Sequence, residues 1–373
     1  MSEARCRWGI LGAASIARKN WDAIRNSGNG HVNAVASRSL DRAQQFINEC
    51  QASRPAKHIP EAVEGYDELL QRDDIDAVYI PLPTGTRKEW VIKAAEAGKH
   101  VMCEKPCAVS ASDLADMIQA CDENNVQFMD GVMYMHSKRM NALRTAIDDG
   151  TSVGRLKRIQ SHFSFCAPED FMQDNIRLSS DLEPQGCLGD LGWYTIRLSL
   201  FVNKYEMPKQ VIGRQLEEHL RGDSPSPVPM EFSGELLFEG GVSAGFYNSF
   251  LTEHQQLVHI SGSKGNISYN DFVLPWCGNE LSFEVNNAVF NFQECVCYME
   301  KHTRTEYTGE FSNNAPDSQE TNMFRKFNEL ALGGKPDPFW AEVSLKTQIV
   351  MDACLESARN GSQPVNIDLD LLK

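Results

Sequence analysis

Short apolar runs alternate with helical stretches through the first third of the chain, and this alternation constrains the fold more than any other feature. Strands are predicted at 7–11, 32–37, 77–81, 100–103 and 126–129. Helices are predicted between them at 15–27, 40–50, 66–71, 86–97 and from Ser110 or Ser112 to about 124. Strands that alternate with helices form right-handed βαβ units, so the pattern predicts a parallel sheet covered by helices.

The pattern changes after about residue 137. A helix is predicted at 137–148, and residues 159–165 then alternate between apolar and polar side chains, as in a strand with one covered face. Three strand pairs follow, at 235–238 with 242–246, 257–261 with 267–269, and 281–285 with 289–292, before helices at 319–332 and 344–359. Consecutive strands without crossover helices predict an antiparallel sheet. We therefore expect an α/β domain over 1–135 and an α+β domain over 136–373.

Charge and cysteine content exclude several classes of protein. The 373 residues carry a formal net charge of −15, whereas nucleic-acid and acidic-membrane binders need a basic surface. The eleven cysteines form no C-x-x-C pair, so we expect no metal site and reduced thiols in a cytoplasmic protein. The polar start of the chain and its lack of a long apolar run predict neither a signal peptide nor a membrane span.

A small-residue loop follows the first predicted strand. Gly12, Ala13, Ala14, Ser15 and Ile16, with Ala17 after them, fit G-x-G-x-x-G/A with alanine at the second glycine. Small residues let the backbone turn tightly and approach a pyrophosphate, which the helix N-terminus attracts. Alone the pattern is weak, since small residues also serve close helix–strand packing, but its place between strand and helix favours a dinucleotide site.

The end of the second predicted strand favours one dinucleotide over another. A carboxylate there grips the ribose of NAD(H), but this strand ends in Ser37 and Arg38. A hydroxyl and a guanidinium suit a 2′-phosphate, because arginine binds phosphate with two parallel hydrogen bonds. The sequence therefore favours NADP(H) over NAD(H). The alternative is that Arg38 is only a solvated loop arginine.

Two longer motifs carry a family resemblance. The string AxAGKHVxxEKP ends at Glu104, Lys105 and Pro106, and a D-x-G-x-Y segment runs from Asp190 to Tyr194. With these motifs the chain resembles the glucose–fructose oxidoreductase/inositol dehydrogenase/MocA family over nearly its whole length, nearest the dihydrodiol dehydrogenase and glucose–fructose oxidoreductase-like branch. The resemblance implies a Rossmann domain, a large open and mostly antiparallel sheet, and a homodimer or homotetramer.

The resemblance also implies site residues. Lys105 matches the lysine that touches substrate and cofactor, Tyr194 the proton donor or acceptor, and Asp190 its acidic partner. The implied substrate is a sugar, a sugar derivative or a cyclic diol. Pro81, Leu82, Thr84 and Glu104 are expected to contact the cofactor, and His136, Arg177 and Trp193 the substrate.

The chemistry of Lys105 and Tyr194 supports these roles. Exchange of hydride between a carbon and nicotinamide requires a proton to join or leave the oxygen. A tyrosine with a pKa of roughly 10 is a poor base at neutral pH, and a neighbouring lysine would favour its phenolate. Lys105 can instead hydrogen-bond the substrate oxygen. The alternatives without a catalytic role are a solvated lysine and a tyrosine in the core.

Some positions depart from the family pattern. Where many members have an asparagine and a histidine, this chain has Thr84 and Arg87, the latter interpretable as a solvated arginine at a helix start. His136 can be a pocket residue or a structural histidine. Arg177 can bind a substrate oxygen or brace Asp174. These departures concern the substrate rather than the class of reaction.

Three functions remain open from the sequence. The leading one is an NADP(H)-dependent dehydrogenase or reductase acting on CH–OH groups. The second is an aldose–aldose oxidoreductase that keeps its cofactor bound. The third is a nicotinamide-binding sensor without activity, which the fold alone does not exclude. The presence of both Lys105 and Tyr194 argues against the sensor.

Overall fold

The computed structural model describes residues 4–312 and 314–372. A six-stranded sheet in the order β3-β2-β1-β4-β5-β6 forms the first part, with every neighbouring pair parallel. Its strands are β1 (Cys6–Leu11), β2 (Gly30–Ser37), β3 (Glu61–Glu64), β4 (Ala77–Ile80), β5 (His100–Cys103) and β6 (Phe128–Asp130). Its helices are α1 (Ser15–Ser27), α2 (Leu40–Ser53), α3 (Tyr66–Leu70), α4 (Thr84–Glu96) and α5 (Ala111–Glu123). The predicted α/β fold is confirmed, and β3 is a strand that its short, half-polar sequence did not signal.

Burial explains why the central strands are continuous apolar runs. Every residue of β4 is buried, and so are all residues of β1 except Arg7, because helices cover both faces of the sheet. Local residues set where helices begin and end. The side chains of Ser39 and Ser110 cap the N-termini of α2 and α5, and Gly28 ends α1 in the left-handed region.

A nine-stranded sheet forms the second part, in the order β14-β13-β12-β11-β7-β10-β9-β8-β15. It is antiparallel except between β7 and β10, so the predicted α+β architecture is confirmed. Its strands are β7 (Leu156–Ser164), β8 (Gln210–His219), β9 (Val228–Leu237), β10 (Ser243–Ser249), β11 (Val258–Gly262), β12 (Asn266–Tyr269), β13 (Glu280–Gln293), β14 (Val296–Gly309) and β15 (Val365–Asn366). The helices are α6 (Lys138–Asp148), α7 (Glu169–Asp174), α8 (Trp193–Val202), α9 (Gln319–Leu332) and α10 (Phe339–Arg359).

The strand pair predicted at 281–285 and 289–292 is wrong. Both segments belong to the single strand β13, which pairs along its whole length with β14. Asn286 and Asn287, which lie between the two segments, pair with Thr303 and His302 in the ladder. The turn comes later, where Glu294 takes a φ of 53°. The strand β14 is exposed along most of its length, so its sequence lacks the apolar alternation that identifies a half-buried strand.

The C-terminal helices return to the first sheet. Helix α9 packs beside α1 and β1, where Asn328 accepts a 2.9 Å hydrogen bond from the indole of Trp8. Helix α10 packs against α5, α8 and β6. The region between the two sheets is therefore held by helices from both ends of the chain. None of the helices in the described part of the chain is long and apolar enough to cross a bilayer.

Candidate active site

A trough crosses the carboxyl ends of β1, β4 and β5. It consists of a wide cavity of about 780 Å³ and a narrower cavity of about 300 Å³. Both cavities are lined by Ala14, Ser15, Pro81, Leu82 and Ile176, so they are continuous. Ligands of open α/β sheets bind in the crevice outside the carboxyl ends of the strands, which makes the trough the candidate site.

The wide part begins at the small-residue loop. Helix α1 starts after Ala14 without a side-chain cap, so its first N–H groups remain available to a ligand. Gly12 has a φ of +115°, and a Cβ there would come within 3.0 Å of Leu82. Gly12 and Ala13 line the wide cavity, Ile16 the narrow one, and Ser15 both. The loop is a cradle that fits a pyrophosphate.

Two arginines stand at the far end of the wide part. Ser37 and Arg38 line it, and Arg42 on α2 lines it as well. Sequence analysis missed Arg42, although its position one turn into the helix after Arg38 is a signal. Tyr66 and Trp90 form an edge-to-face pair, 4.9 Å between ring centroids, in the wall beside them. Two guanidiniums next to aromatic rings can hold a phosphorylated ribose and its base.

The narrow part closes on Lys105. Its ammonium donates hydrogen bonds of 2.8 Å to the Asp190 carboxylate oxygen Oδ1 and 2.8 Å to the Asp190 backbone carbonyl. The other carboxylate oxygen lies 2.7 Å from Nε of Arg177. Lys105 precedes a cis peptide bond to Pro106. The π-helical turn Leu188–Gly192 carries Asp190 and leads directly into α8.

Tyr194 lies beside this cluster at the start of α8. The Lys105 ammonium is 4.6 Å from the centre of its ring. Burial raises the pKa of Tyr194 to about 12, although the Lys105 charge works against this. The phenol is therefore protonated at neutral pH and can give a proton to an oxygen placed in the cavity.

The charged groups of the cluster shift each other's pKa values. Burial disfavours the Asp190 carboxylate, but Arg177 and Lys105 outweigh burial and hold the pKa of Asp190 well below its usual range. Burial likewise disfavours the Lys105 cation, and Asp190 more than compensates, so the pKa of Lys105 is raised. Lys105 is thus cationic and Asp190 anionic across neutral pH.

A buried carboxylate flanks the lysine. Glu104 lines the narrow cavity, and its Oε1 accepts hydrogen bonds from the Tyr79 hydroxyl at 2.5 Å and the Asn20 amide at 3.3 Å. Burial, and next the charge of Glu104, raises the pKa of Tyr79 well above its usual value. The Tyr79 phenol is therefore a fixed donor that orients Glu104.

Thr84 and Arg87 support the wall of the trough, and Arg87 also lines the narrow cavity. The Thr84 side chain is buried, lines neither cavity, and donates a 2.6 Å hydrogen bond to Glu183. The structure therefore does not bring its hydroxyl to the trough. Arg87 is buried rather than solvated and donates to the carbonyl oxygens of Leu82, Glu104 and Pro106. It holds the backbone on both sides of Lys105.

Two of the expected substrate residues lie away from the trough. Trp193 is fully buried, and its indole donates a 3.0 Å hydrogen bond to Asp130. The His136 ring stacks on Trp340 at 4.4 Å and lines neither cavity. Arg177, in contrast, lines the narrow cavity, and it pairs with Asp190 instead of Asp174.

Several lining residues were not predicted. They all lie outside the motifs: Lys19, Met133, Glu183, Leu274, Glu320 and Met323. Lys19 and Glu320 form a 2.5 Å ion pair between α1 and α9. The segment around Glu183 reaches the trough because Gly85 lies against the Asp181 carbonyl, where a Cβ would come within 2.2 Å. No local sequence motif predicts these contacts.

The comparisons with known proteins agree with this geometry. Residues 6–132 match the oxidoreductase family with an NAD-binding Rossmann fold, GFO/IDH/MocA, and residues 140–268 match the GFO/IDH/MocA C-terminal domain.

Two curated relatives act on sugars or sugar nucleotides by name. A dTDP-3,4-didehydro-2,6-dideoxy-alpha-D-glucose 3-reductase from Saccharopolyspora spinosa is 33% identical over 70% of this chain and 73% of its own length. A D-xylose 1-dehydrogenase (NADP(+)) from Haloferax volcanii is 31% identical over 76% of this chain and 82% of its own.

A solved structure extends the likeness to nearly the whole chain. A 3-ketoreductase from Actinomadura kijaniata, a variant in complex with TDP-benzene and NADP, is 25% identical. The match covers 96% of this chain and 98% of the ketoreductase chain, with a TM-score of 0.74. Both family domains match and the fold is shared. The chain therefore belongs to the GFO/IDH/MocA family of oxidoreductases.

Proposed function

We propose that this protein is an NADP(H)-dependent oxidoreductase that acts on a hydroxyl or carbonyl carbon of a sugar, a sugar derivative or a cyclic diol. The observation that carries the proposal is the cluster of Lys105, Asp190, Arg177 and Tyr194 at the closed end of a dinucleotide-sized trough. A proton donor and a fixed cation stand where the trough narrows, as acid–base chemistry beside a nicotinamide requires.

The wide part of the trough would hold the cofactor. The loop from Gly12 to Ser15 and the uncapped start of α1 fit its pyrophosphate, and Ser37, Arg38 and Arg42 fit its 2′-phosphate. Pro81, Leu82 and Glu104 line the path toward the narrow part. When bound, the nicotinamide donates or accepts the hydride. The use of NADP by two of the relatives is consistent with this assignment.

Tyr194 and Lys105 would act on the reacting oxygen. In the direction of reduction, the protonated phenol of Tyr194 gives its proton to the oxygen, and the Lys105 cation stabilises the negative charge that develops there. In the direction of oxidation, Lys105 favours the phenolate that removes the proton. Asp190 keeps the lysine charged and oriented through its 2.8 Å hydrogen bond.

The narrow cavity sets the size and polarity of the substrate. Its volume of about 300 Å³ suits a monosaccharide ring or a small cyclic diol. Charged side chains surround it, with Lys19, Arg177, Glu183 and Glu320 available to hydroxyl groups beyond the reacting carbon. Sugar and sugar-nucleotide substrates in the names of the two curated relatives support a carbohydrate.

The test is cofactor absorbance on the purified protein, with NADP⁺ or NAD⁺ and a panel of aldoses, deoxysugars, inositols and trans-diols. Reduction of NADP⁺ by a member of the panel is expected. Tight NADPH binding without turnover of any single substrate would contradict a free-cofactor dehydrogenase. Paired sugars would then test for a bound-cofactor enzyme.

Cofactor preference has its own test. Arg38→Ala should weaken NADPH on the order of tenfold or more and NADH much less, because a charge-assisted contact to phosphate is lost. Arg155→Ala, an exposed arginine outside the trough, is the matched control. Dissociation constants from fluorescence titration measure both. Equal weakening of NADPH and NADH would remove the 2′-phosphate assignment.

Self-association through the open sheet also belongs to the proposal. The outer ribbon of β13 and β14 exposes large apolar side chains: Val289, Phe290, Phe292, Val296, Tyr298 and Met299. Long apolar edges promote pairing with another chain, and a second copy offers an identical ribbon. Light scattering should show a homodimer or homotetramer that Phe290→Asp with Phe292→Asp dissociates. A monomeric parent protein would contradict this part.

A further inference from the structure

A second cavity lies at the edge of the six-stranded sheet opposite the trough. Its volume is about 500 Å³, and it is lined by residues at the amino ends of β1 and β2, at the end of α1, and in the segment after α2. It shares no lining residue with either part of the trough. The proposed oxidoreductase function gives it no role.

The cavity combines an apolar floor with a basic rim. Trp21 and Val32 are buried, and Ala56 half-buried, at the floor. The Trp21 indole is held by a 3.0 Å hydrogen bond to the Arg54 carbonyl. Five basic side chains line the remainder: Arg5, Arg25, His31, Lys57 and His58. A flat apolar surface below several cations is the environment of an organic anion.

These cations are poorly balanced, in a chain that is otherwise acidic. The protein has 51 aspartates and glutamates against 36 lysines and arginines, yet no carboxylate lines this cavity. Asp22, the partner of Arg25 at 2.7 Å, is also shared by Arg54 at 3.3 Å. Within the described part of the chain, neither Arg5 nor Lys57 forms an ion pair. Local positive charge of this kind attracts anions despite a negative net charge.

A half-buried histidine at the same place has one ring nitrogen without a hydrogen-bond partner. Nδ1 of His31 is buried and makes no hydrogen bond within the described chain. The ring lies edge-on to His58, 5.2 Å between centroids. Burial first, and then the His58 and Arg5 charges, lower the pKa of His31, while a side-chain contact with Asn33 and the Asp76 charge act in the opposite sense. The neutral ring retains an unused nitrogen, and buried polar atoms usually have a partner.

We propose that this cavity is a second ligand site that binds a small organic phosphate, with the phosphate at Arg5, Lys57 and the two histidines. The flat part of the ligand covers Trp21, Val32 and Ala56. Arginine and lysine hold phosphate through charge-assisted hydrogen bonds, and a ring nitrogen of His31 contributes one more contact.

The test uses adenosine monophosphate as the probe and the full chain saturated with NADPH, so that the dinucleotide part of the trough is filled. Calorimetry should show one additional binding event per chain. The double variant Arg5→Gln with Lys57→Gln should weaken it on the order of tenfold or more, since two charged contacts are lost. Arg155→Gln with Lys157→Gln removes two exposed charges from β7 and the segment before it, and should leave binding unchanged.

Each outcome decides the proposal. Absence of binding overturns it, and so does equal weakening by the two double variants, which would indicate unspecific attraction. Inorganic pyrophosphate should bind more weakly than adenosine monophosphate, and equal affinity would overturn the role of the apolar floor. Both variants change exposed side chains, and unchanged unfolding midpoints and NADPH affinity would show that the fold and the trough are intact. The proposed oxidoreductase activity is measured separately and does not depend on the result.

Discussion

Two ionic centres flank the same helical segment, and they differ in what they leave free. Asp190, before α8, binds Lys105 and Arg177 in the wall of the trough, where their side chains are 10% and 40% exposed. Arg197, within α8, binds Asp130 at 2.7 Å with both side chains at 0% exposure. The first centre lines the narrow cavity and the second is fully buried, so only the first can act on a substrate.

The residues of the buried centre form several hydrogen bonds. One oxygen of Asp130 accepts hydrogen bonds from both Arg197 and Trp193, and Nε of Arg197 donates a 2.7 Å bond to Thr347. These contacts join β6, α8 and α10. The centre therefore fixes the rotation of α8, and with it the direction in which Tyr194 faces. The buried centre therefore positions α8, whereas the centre in the trough is itself positioned by α8.

The largest effect is expected on stability, from the buried centre. Arg197→Met leaves the Asp130 carboxylate unpaired in the core, which should lower the free energy of unfolding by about 3–5 kcal/mol. Arg18→Met, which removes an exposed ion pair with Glu49, should lower it far less, because solvent screens this pair. Urea unfolding measures both. Similar losses for the two variants would break the comparison.

The next effect is on activity, from the centre in the trough. Lys105→Met should cut turnover on the order of 10² or more, the scale of lost acid–base help, while NADPH binding is kept. Lys88→Met, at a surface lysine paired with Asp113 and Asp116, is the control and should keep its turnover. Steady-state kinetics measure turnover, and fluorescence titration measures binding. A Lys105→Met enzyme with parental turnover would remove Lys105 from the mechanism.

A smaller effect should separate the two roles open to Arg177. If it only positions Asp190, Arg177→Gln should lower kcat about tenfold at nearly constant KM, because one charge-assisted hydrogen bond is lost. Contact with substrate would raise KM instead. Arg177→Lys should restore part of kcat only in the first case. We expect the first result, since Arg177 lies 2.7 Å from the Asp190 carboxylate, and parental kinetics for Arg177→Gln would exclude both roles.

Local motifs explain how far the sequence could be interpreted. The loop at Gly12 and the strand end at Arg38 are recognisable because turn, helix start and ligand contact occur within a few residues of each other. The EKP and D-x-G-x-Y segments lie 85 residues apart at Lys105 and Asp190, and the family resemblance, not the spacing, paired them. The alternation of strands and helices was informative for the same local reason.

Tertiary packing explains what the sequence could not show. Trp193 and Tyr194 are neighbours on an apolar helix, and only the contact of Trp193 with Asp130 decides which of them faces the trough. His136 stacks on Trp340, about two hundred residues further along the chain. Glu320 enters the trough because α9 returns to α1. Such contacts depend on the rotation and approach of whole helices, which no local pattern encodes.

The smallest effect is expected from pH, and its size distinguishes the two ways in which Tyr194 can work. The pKa of Tyr194 is raised to about 12, so its phenol keeps its proton throughout the neutral range. Lys105, with a raised pKa, stays charged, and Asp190, with a lowered pKa, stays ionised. With no group of the cluster titrating, kcat/KM for reduction should vary little between about pH 6 and pH 9.

Oxidation, in contrast, should depend on pH, because it uses the phenolate. Its rate should rise with pH toward the Tyr194 pKa of about 12. Lys105→Met removes a charge that lowers this pKa, so it should shift the rise to still higher pH. Tyr194→Phe should abolish the rise. Profiles of kcat/KM in both directions measure these changes, and a reduction rate that falls steeply from pH 6 to pH 9 would show that another group donates the proton.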